Sequence, residues 1–278
     1  MYRALRVYLT VEASEPVTVF TGQLSKTLVY ALVKNLRIFR GVRGMVSPLH
    51  ISPLFKPGKG DFEVGEVVTP LVARKEGKRE VQPVRLSGEE YILHLGGDAA
   101  LVGVAEKALA DLRNPLTVKI GDNLVTYKLE RLSDVTSSLS EKDVTSDRVT
   151  VYLKGPVKPF NVLSPSRLPK FSPSAYELLF VAYMLEKSTY TVSTELVLQA
   201  MRTLGLLVET WYSLTTLRPV LVPFRGIEPA LLGKVTYILD TGETKYIDEI
   251  KRTLQIAEIA GVGESRQNGF GTITWAPK

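Results

Sequence analysis

The sequence predicts an α+β protein made of two tandem βαββαβ domains. Its 278 residues are enough for two medium domains. Strand and helix patterns follow one another in the same order twice, and the polar segment over residues 133–147 separates the two sets without an apolar period of its own. We therefore predict domains over residues 1–135 and 148–278, joined by a linker over 136–147. The halves share element order and no residue-level repeat.

The first predicted domain begins with an alternating strand over residues 3–11. A helix over 21–38 follows, because leucines recur every fourth residue from Leu24 to Leu36. The remaining elements are a strand over 49–55, a β-excursion over 62–86 that turns at Glu76-Gly77-Lys78, a strand over 91–95 closed by Gly96-Gly97, a helix over 98–112 with Asp98 as N-cap, and a strand or strand pair over 118–129.

The second predicted domain repeats this order. Its elements are a strand over 149–153, a proline-rich basic loop over 155–173, helical residues over 174–207 with a break near 188–191, a long strand over 208–223, a turn at Arg225-Gly226, a return strand over 233–239, a helix over 244–259 and a last strand over 271–275. The order β-α-β-β-α-β is that of the ferredoxin-like split motif, with two helices on one face of a four-stranded sheet.

Composition excludes several classes of protein. The chain has no cysteine and two histidines, which excludes disulfides, thiolate metal sites and cysteine nucleophiles, and disfavours a histidine-rich metal site. It has no run of 18 apolar residues, and its first residues lack the apolar core of a signal peptide. We expect a cytoplasmic protein that needs no metal and no cofactor.

Positive charge is segregated along the chain. The net charge is +6, and between Glu15 and Asp61 there are seven basic residues and no acidic one. Two further stretches, 148–176 and 210–227, are also basic and free of acidic residues. This pattern favours a polyanion such as nucleic acid, although solvated charges on unrelated faces remain the alternative. The candidate phosphate-contacting residues in these stretches are Lys34, Arg37, Arg40, Arg43, Arg167, Lys170, Arg218 and Arg225.

A glycine-rich run, GVGESRQNGFG over residues 261–271, lies between the last helix and the last strand. Glycines allow positive φ and close backbone approach, so that N–H groups in such a loop can bind phosphate. Arg266 is suited to bidentate pairing with a phosphate or a guanine edge. Tight packing of the glycines, and a solvated Arg266, are the alternatives. The candidate nucleic-acid-binding residues of the run are Gly261, Gly263, Ser265, Arg266, Asn268, Gly269 and Gly271.

These motifs resemble a known family. The run GVGESRQNGFG is similar to the glycine-rich signature of the RAMP superfamily of CRISPR-associated proteins, whose domains are ferredoxin-like and RRM-like. Its place at the end of the second domain resembles the CRISPR repeat-processing endoribonuclease. The segment Phe20-Thr-Gly22-x-x-x-Lys26 resembles that family's first-helix start. Residues 165–173, and the strands around Arg225-Gly226 and Gly233-Lys-Val, resemble its archaeal members.

The resemblance implies an activity. Such enzymes bind the repeat in precursor CRISPR RNA and cut it without metal, through attack of a 2′-OH on the adjacent phosphate. The products are a 2′,3′-cyclic phosphate, or a 3′-phosphate, and a 5′-OH. CRISPR repeat RNA is then the partner, and effector-complex proteins or a second copy in a homodimer are further candidates. A non-catalytic RAMP subunit that binds CRISPR RNA in an effector complex is the alternative, and a generic single-strand RNA-binding protein is a third.

The candidate catalytic residues are Lys26, Tyr30 and His50. Many family members carry a catalytic histidine near the end of the first helix, and the stretch 33–44 contains none. His50 lies on the next strand and would act from a sheet surface that faces RNA; a structural or base-stacking histidine is the alternative. Lys26, Tyr30 and Lys34 share one side of the first helix, from which Lys26 could stabilise the phosphorane or bind phosphate. Tyr212 and Phe224 are candidates for base stacking, with core packing as the alternative.

Overall fold

The computed structural model describes residues 1–33, 46–60, 63–75, 78–160, 172, 174–211 and 213–278. These residues form two antiparallel sheets, each with helices packed on one face, and a separate two-stranded hairpin. Among the helices in these ranges, none is both long enough and apolar enough to cross a membrane.

The first half of the chain forms a six-stranded sheet. Its elements are β1 (Tyr2–Ala13), α1 (Thr21–Leu32), β2 (Leu49–Pro57), β3 (Val64–Val68), β4 (Leu71–Lys75), β5 (Lys78–Gln82), β6 (Ser87–Asp98), α2 (Ala99–Ala110), β7 (Leu116–Ile120) and β8 (Asn123–Asp134). The strand order is β3-β2-β6-β1-β8-β7, and β4 pairs with β5 alone. The central order β2-β6-β1-β8 is the predicted ferredoxin-like arrangement, and it is confirmed.

Local sequence explains these elements. The alternation in β1 buries Leu5, Val7 and Leu9 against the side of the sheet that carries α1 and α2. The Asp98 side chain accepts hydrogen bonds from the N–H groups of Ala100, at 3.0 Å, and Leu101, at 3.3 Å. Asp98 is therefore the N-cap of α2, as predicted.

The second half repeats the plan with a four-strand core. Its elements are α3 (Thr136–Ser140), β9 (Arg148–Val157), α4 (Ala175–Glu186), α5 (Thr194–Leu204), β10 (Leu207–Glu209), α6 (Ser213–Thr216), β11 (Leu217–Pro223), β12 (Ile227–Leu239), α7 (Thr244–Ala260) and β13 (Ile273–Pro277). The strand order is β10-β12-β9-β13, and β11 also pairs with β12. Helices α4, α5 and α7 pack into one core with this sheet. The order of strands and helices is again that of the ferredoxin-like motif.

Several predicted boundaries differ from the structure. The single strand expected over 208–223 is divided, because the Ser213 hydroxyl bonds to the backbone of Thr236 and a helical turn, α6, intervenes. The predicted closure at Gly96-Gly97 is wrong, since β6 continues to Asp98. The segment 136–147 lies between β8 and β9 but contains α3, whose Leu139 is buried. Helix α1 is described to Leu32, and residues 34–45 and 76–77 lie outside the described ranges.

The two sheets meet through the side of the first sheet that faces away from α1 and α2. His94, on that side of β6, lies with its Nε2 atom 2.7 Å from the carbonyl oxygen of Ile259 near the end of α7. Phe55 of β2 packs close to Gly155 of β9. The glycine-rich run that follows α7 is therefore held between the two domains, next to β2 and α1.

Candidate active site

Helix α1 meets the glycine-rich run through two side-chain hydrogen bonds. The Lys26 ammonium donates to Oδ1 of Asn268 at 2.6 Å, and the Tyr30 hydroxyl donates to Oε1 of Gln267 at 3.0 Å. Lys26 and Tyr30 are one helical turn apart and so share a side of α1. Their partners are adjacent in a 3-10 turn over residues 266–268. The structure thus brings together site residues that are 242 and 237 positions apart in the sequence.

Two glycines allow this contact. A Cβ atom on Gly22 would lie 2.3 Å from the carbonyl oxygen of Asn268 and 2.6 Å from the Cα atom of Gly269. Gly269 itself has a φ of 96°, which other residues rarely adopt. Backbone therefore touches backbone at this point, and only glycine fits on both sides.

The other glycines of the run also serve close packing. Added Cβ atoms would collide with the His50 ring at Gly261, with the Lys158 carbonyl at Gly263 and with the Val262 carbonyl at Gly271. Several backbone N–H groups of the run already donate within the protein, to the carbonyls of Lys158, Ser265, Arg266 and Pro156. The expectation that N–H groups between residues 263 and 269 bind phosphate is thus corrected for Glu264, Asn268 and Gly269, which are among these donors.

Three phenylalanines fasten the start of α1 to the second domain. The ring centroids of Phe20 and Phe270 are 4.8 Å apart, and those of Phe224 and Phe270 are 5.6 Å apart. Phe224 is buried in this cluster, so its predicted alternative of core packing is the one observed. Arg225, next to it at the tip of the β11–β12 hairpin, is exposed with a φ of 46°.

Arg266 does not face solvent, and its predicted role as a phosphate contact is corrected. Its guanidinium is buried and donates to the backbone carbonyls of Ala260 and Ser47. Burial lowers the pKa of Arg266 to about 10. The side chain therefore holds the end of α7 to the residues before β2, and only 2% of Arg266 is exposed.

His50 is likewise fully buried, and the prediction of a histidine that faces RNA is wrong. Its Nδ1 atom lies 3.2 Å from the Arg266 carbonyl oxygen, and its Nε2 atom lies 3.1 Å from the Thr272 hydroxyl. Burial, and next the charge of Arg266, lower the pKa of His50 to about 3. His94 is also fully buried, between Arg6 and the Ile259 carbonyl, and its pKa is lowered, first by burial and then by the charge of Arg6. Both rings are neutral structural groups.

The remaining candidates occupy different surroundings. Ser265 is half-buried, and its backbone adopts the left-handed conformation with a φ of 58°. Arg218 is exposed on β11. Seven predicted residues lie outside the described ranges: Lys34, Arg37, Arg40, Arg43, Arg167, Lys170 and Tyr212.

A cavity of about 280 Å³ opens beside the Lys26–Asn268 contact. Its lining consists of Val46, Ser47, Phe160, Val181 and residues 263–268. Glu264 belongs to this lining, and the sequence analysis missed it. The signal that could have identified it is its position as the one acidic residue between Gly261 and Gly271 in a basic chain. Lys26 is connected to this cavity through Asn268, a lining residue to which its ammonium donates.

Known structures share this architecture over the whole chain. The product complex of Thermus thermophilus Cas6 superposes with a TM-score of 0.64 at 15% identity and covers 99% of this chain and 100% of its own. A RAMP protein described as binding different RNA substrates gives 0.54 at 10% identity, over 98% of this chain and 99% of its own. A Cas6-related protein of Pyrococcus furiosus gives 0.56 at 11%, over 98% of both chains.

No protein-family model matches the sequence, and no curated protein matches it either. The similarity is therefore one of structure, at identities that establish the fold. It agrees with the element order that the sequence predicts for both halves. The chain has the fold of the CRISPR-associated Cas6 and RAMP proteins.

Proposed function

We propose that this protein is a metal-independent endoribonuclease that cuts precursor CRISPR RNA within its repeats. The observation that carries the proposal is the contact between Lys26 and Asn268, in which a half-buried lysine donates to a residue that lines the cavity. Structural similarity to a Cas6 product complex and to an RNA-binding RAMP protein supports RNA as the substrate class. The positive net charge agrees with such a substrate.

The proposed reaction is an in-line transfer at one phosphate. The 2′-oxygen of the ribose attacks phosphorus and loses its proton to solvent, and the bond from phosphorus to the 5′-oxygen breaks. The products are a 2′,3′-cyclic phosphate and a 5′-OH, and hydrolysis of the former gives a 3′-phosphate. Lys26 would stabilise the extra negative charge of the phosphorane and supply a proton to the leaving 5′-oxygen. Tyr30 would orient Gln267 beside it.

The proposed chemistry uses no histidine. Both histidines are buried and hydrogen-bonded in the protein. A lysine, whose ordinary pKa is about 10.4, carries little free amine near neutral pH, so it can stabilise charge and donate a proton but is a weak general base. We therefore expect slow cleavage that accelerates as hydroxide concentration rises.

A second candidate is a non-catalytic RAMP subunit that binds CRISPR RNA in an effector complex. The burial of both histidines favours it, because no imidazole among them can reach a bound phosphate. In that case Lys26 and the exposed Arg225 would bind RNA phosphates without promoting transfer. The proposed partners of such a subunit are effector-complex proteins and a second copy of the chain.

One experiment separates the two candidates. The purified protein is incubated in EDTA with a CRISPR repeat RNA and with the same RNA carrying a 2′-deoxy nucleotide at the mapped cut position. Cleavage of the first RNA and not the second supports metal-free 2′-OH chemistry. Tight binding to both RNAs without cleavage of either would remove the enzyme proposal and leave the binding subunit.

A further inference from the structure

The lining of the cavity beside Lys26 includes Glu264, whose carboxylate has no partner among the residues that the structure describes. Glu264 donates its backbone N–H to the Lys158 carbonyl, at 2.8 Å. Its side chain makes no hydrogen bond and no ion pair with the residues that the structure describes. The ammonium of Lys158 is paired with Glu228 instead, at 2.9 Å. Burial raises the pKa of Glu264 above its ordinary value, and the nearby charge of Lys158 only partly opposes this.

Such a carboxylate must keep its hydrogen bonds, either from water or from a ligand that displaces the water. A partly buried charge without a partner is unfavourable in a folded protein. It also repels phosphate, so it does not serve the RNA backbone. An ionised carboxylate accepts hydrogen bonds and donates none. The ligand group that fits Glu264 must therefore present N–H or O–H donors.

The lining of the cavity has an apolar part and a polar part. Val46, Phe160 and Val181 form its apolar part, and the Phe160 ring is itself stacked on Phe180 with centroids 5.6 Å apart. The polar part is formed by Ser47 and by the residues from Glu264 to Asn268. A volume of about 280 Å³ lies just below the usual range of small-molecule sites, which suits one planar base better than a larger ligand.

We propose that this cavity receives a single unpaired RNA base and that Glu264 selects guanine. Among the four bases, guanine alone has two adjacent donors, N1–H and the N2 amino group, on its Watson–Crick edge, and these match the two oxygens of one carboxylate. Adenine and cytosine place an acceptor beside their amino donor, and uracil flanks its one donor with carbonyls. Reading of splayed bases along this edge is the usual mode of single-strand RNA recognition.

This inference rests on the proposed function for the position of the guanine. Asn268 both lines the cavity and binds Lys26, so a base in the cavity would belong to a nucleotide close to the cut phosphate. Glu264 would then determine specificity and take no part in the transfer. The guanine contact itself requires only that the protein binds single-stranded RNA.

Binding of short RNAs tests the inference without cleavage. Fluorescence anisotropy with the full chain compares labelled hexamers of uridine that carry one central guanosine, inosine or adenosine. The guanosine RNA should bind about tenfold more tightly than the other two, because inosine lacks the N2 donor and adenosine lacks both. Equal binding of the three RNAs by the unaltered protein, or binding of none, would overturn the inference.

A matched pair of variants assigns the effect to one side chain. Glu264→Gln replaces one acceptor by a donor and should reduce the guanosine preference to less than about twofold. Glu195→Gln, on the exposed first turn of α5, is the control and should keep the preference. A preference that persists in Glu264→Gln overturns the assignment. If the protein cleaves repeat RNA but shows no guanine preference, this inference is wrong and the proposed endoribonuclease activity is unaffected. If it prefers guanine but does not cleave, the proposed endoribonuclease activity is wrong and this inference is unaffected.

Discussion

Two polar contacts join the first domain to the last 20 residues of the chain, and they differ in exposure. The open contact is that of Lys26 with Asn268, which are both half-buried, and the bond between the buried Tyr30 and Gln267 side chains lies beside it. The buried contact consists of Arg6 and the rings of His50 and His94, and the two rings bond to Ile259, Arg266 and Thr272 of the last 20 residues. Both contain residue types that are usual in RNA-processing sites. Burial decides which of the two is available to a ligand.

The buried contact is satisfied within the protein. Arg6 bonds to the His94 ring, which also bonds to the Ile259 carbonyl, and Arg266 donates to two further carbonyls. Burial lowers the pKa of Arg6 to about 10, as it does for Arg266. Groups held in this way fix how the domains pack and do not exchange partners with RNA. The open contact keeps a half-buried lysine hydrogen-bonded to a residue of the cavity lining.

The largest effect is expected from Arg266→Ala, and it should be one of stability. The substitution leaves the carbonyls of Ala260 and Ser47 without a donor, at about 1–3 kcal/mol each. We expect the free energy of unfolding to fall by about 2–6 kcal/mol, measured by urea denaturation. Arg225→Ala, at an exposed hairpin tip where the guanidinium lies over the Phe224 ring, is the control and should cost at most about 1 kcal/mol. Equal losses in the two variants would contradict the structural role of Arg266.

The next effect is expected from Lys26→Ala, and it should be one of catalysis. Loss of a preorganised charge at the phosphorane costs about 10²–10³ in rate. Single-turnover cleavage of repeat RNA should slow by that factor while the urea midpoint changes little, because Lys26 is only half-buried. Lys245→Ala, on an exposed turn of α7, is the control. A rate within about threefold of the unaltered protein would show that Lys26 only binds.

Much of the open contact could be predicted from the sequence. The helical period places Lys26 and Tyr30 on one side of α1, and the glycines mark a place where backbones approach closely. Both are local properties. That the helix and the glycine-rich run meet each other depends on how two domains pack. No local rule provides that meeting, and it was not predicted from the sequence.

The buried contact shows why the rest was missed. The period of β2 correctly turns His50 away from the α1–α2 core, but nothing in the strand says that the glycine-rich run covers that side. Strand alternation alone would place Phe55 on the face of Leu49 and Ile51, opposite His50. A register shift between Ile51 and Leu54 instead places it on the His50 side of the sheet, where it packs with Tyr8. Arg266 was misassigned for the same reason: exposure is a tertiary property, and a loop arginine is solvated unless another element buries it.

The two histidines make the buried contact sensitive to acid. Both have folded-state pKa values below the ordinary value of about 6.5, so the stability they contribute is complete above pH 6.5 and is lost as the pH falls towards about 3 for His50. The slope should approach about 1.4 kcal/mol per pH unit for each histidine. Urea denaturation between pH 7 and pH 5 measures it.

A control variant separates the two rings. His50→Asn should remove about half of that slope, because one of the two groups that stay neutral in the folded state is then absent. A stability that does not change between pH 7 and pH 5 would mean that the rings titrate alike in the folded and unfolded chains, and hence that they are not buried as the structure has them.

The smallest effect is expected from Tyr30→Phe, and it distinguishes the role of Tyr30 from that of Lys26. The substitution removes the hydroxyl that donates to Gln267 and keeps the ring, so the loss of stability should be about 0.5–1.5 kcal/mol. If Tyr30 only orients the 3-10 turn, cleavage should slow less than tenfold and its pH profile should keep its shape. A loss approaching that of Lys26→Ala would instead make the Tyr30 hydroxyl a proton donor in the reaction. The catalytic role predicted for Tyr30 is therefore tested by comparing the cleavage rates of Tyr30→Phe and Lys26→Ala, two substitutions that are one helical turn apart.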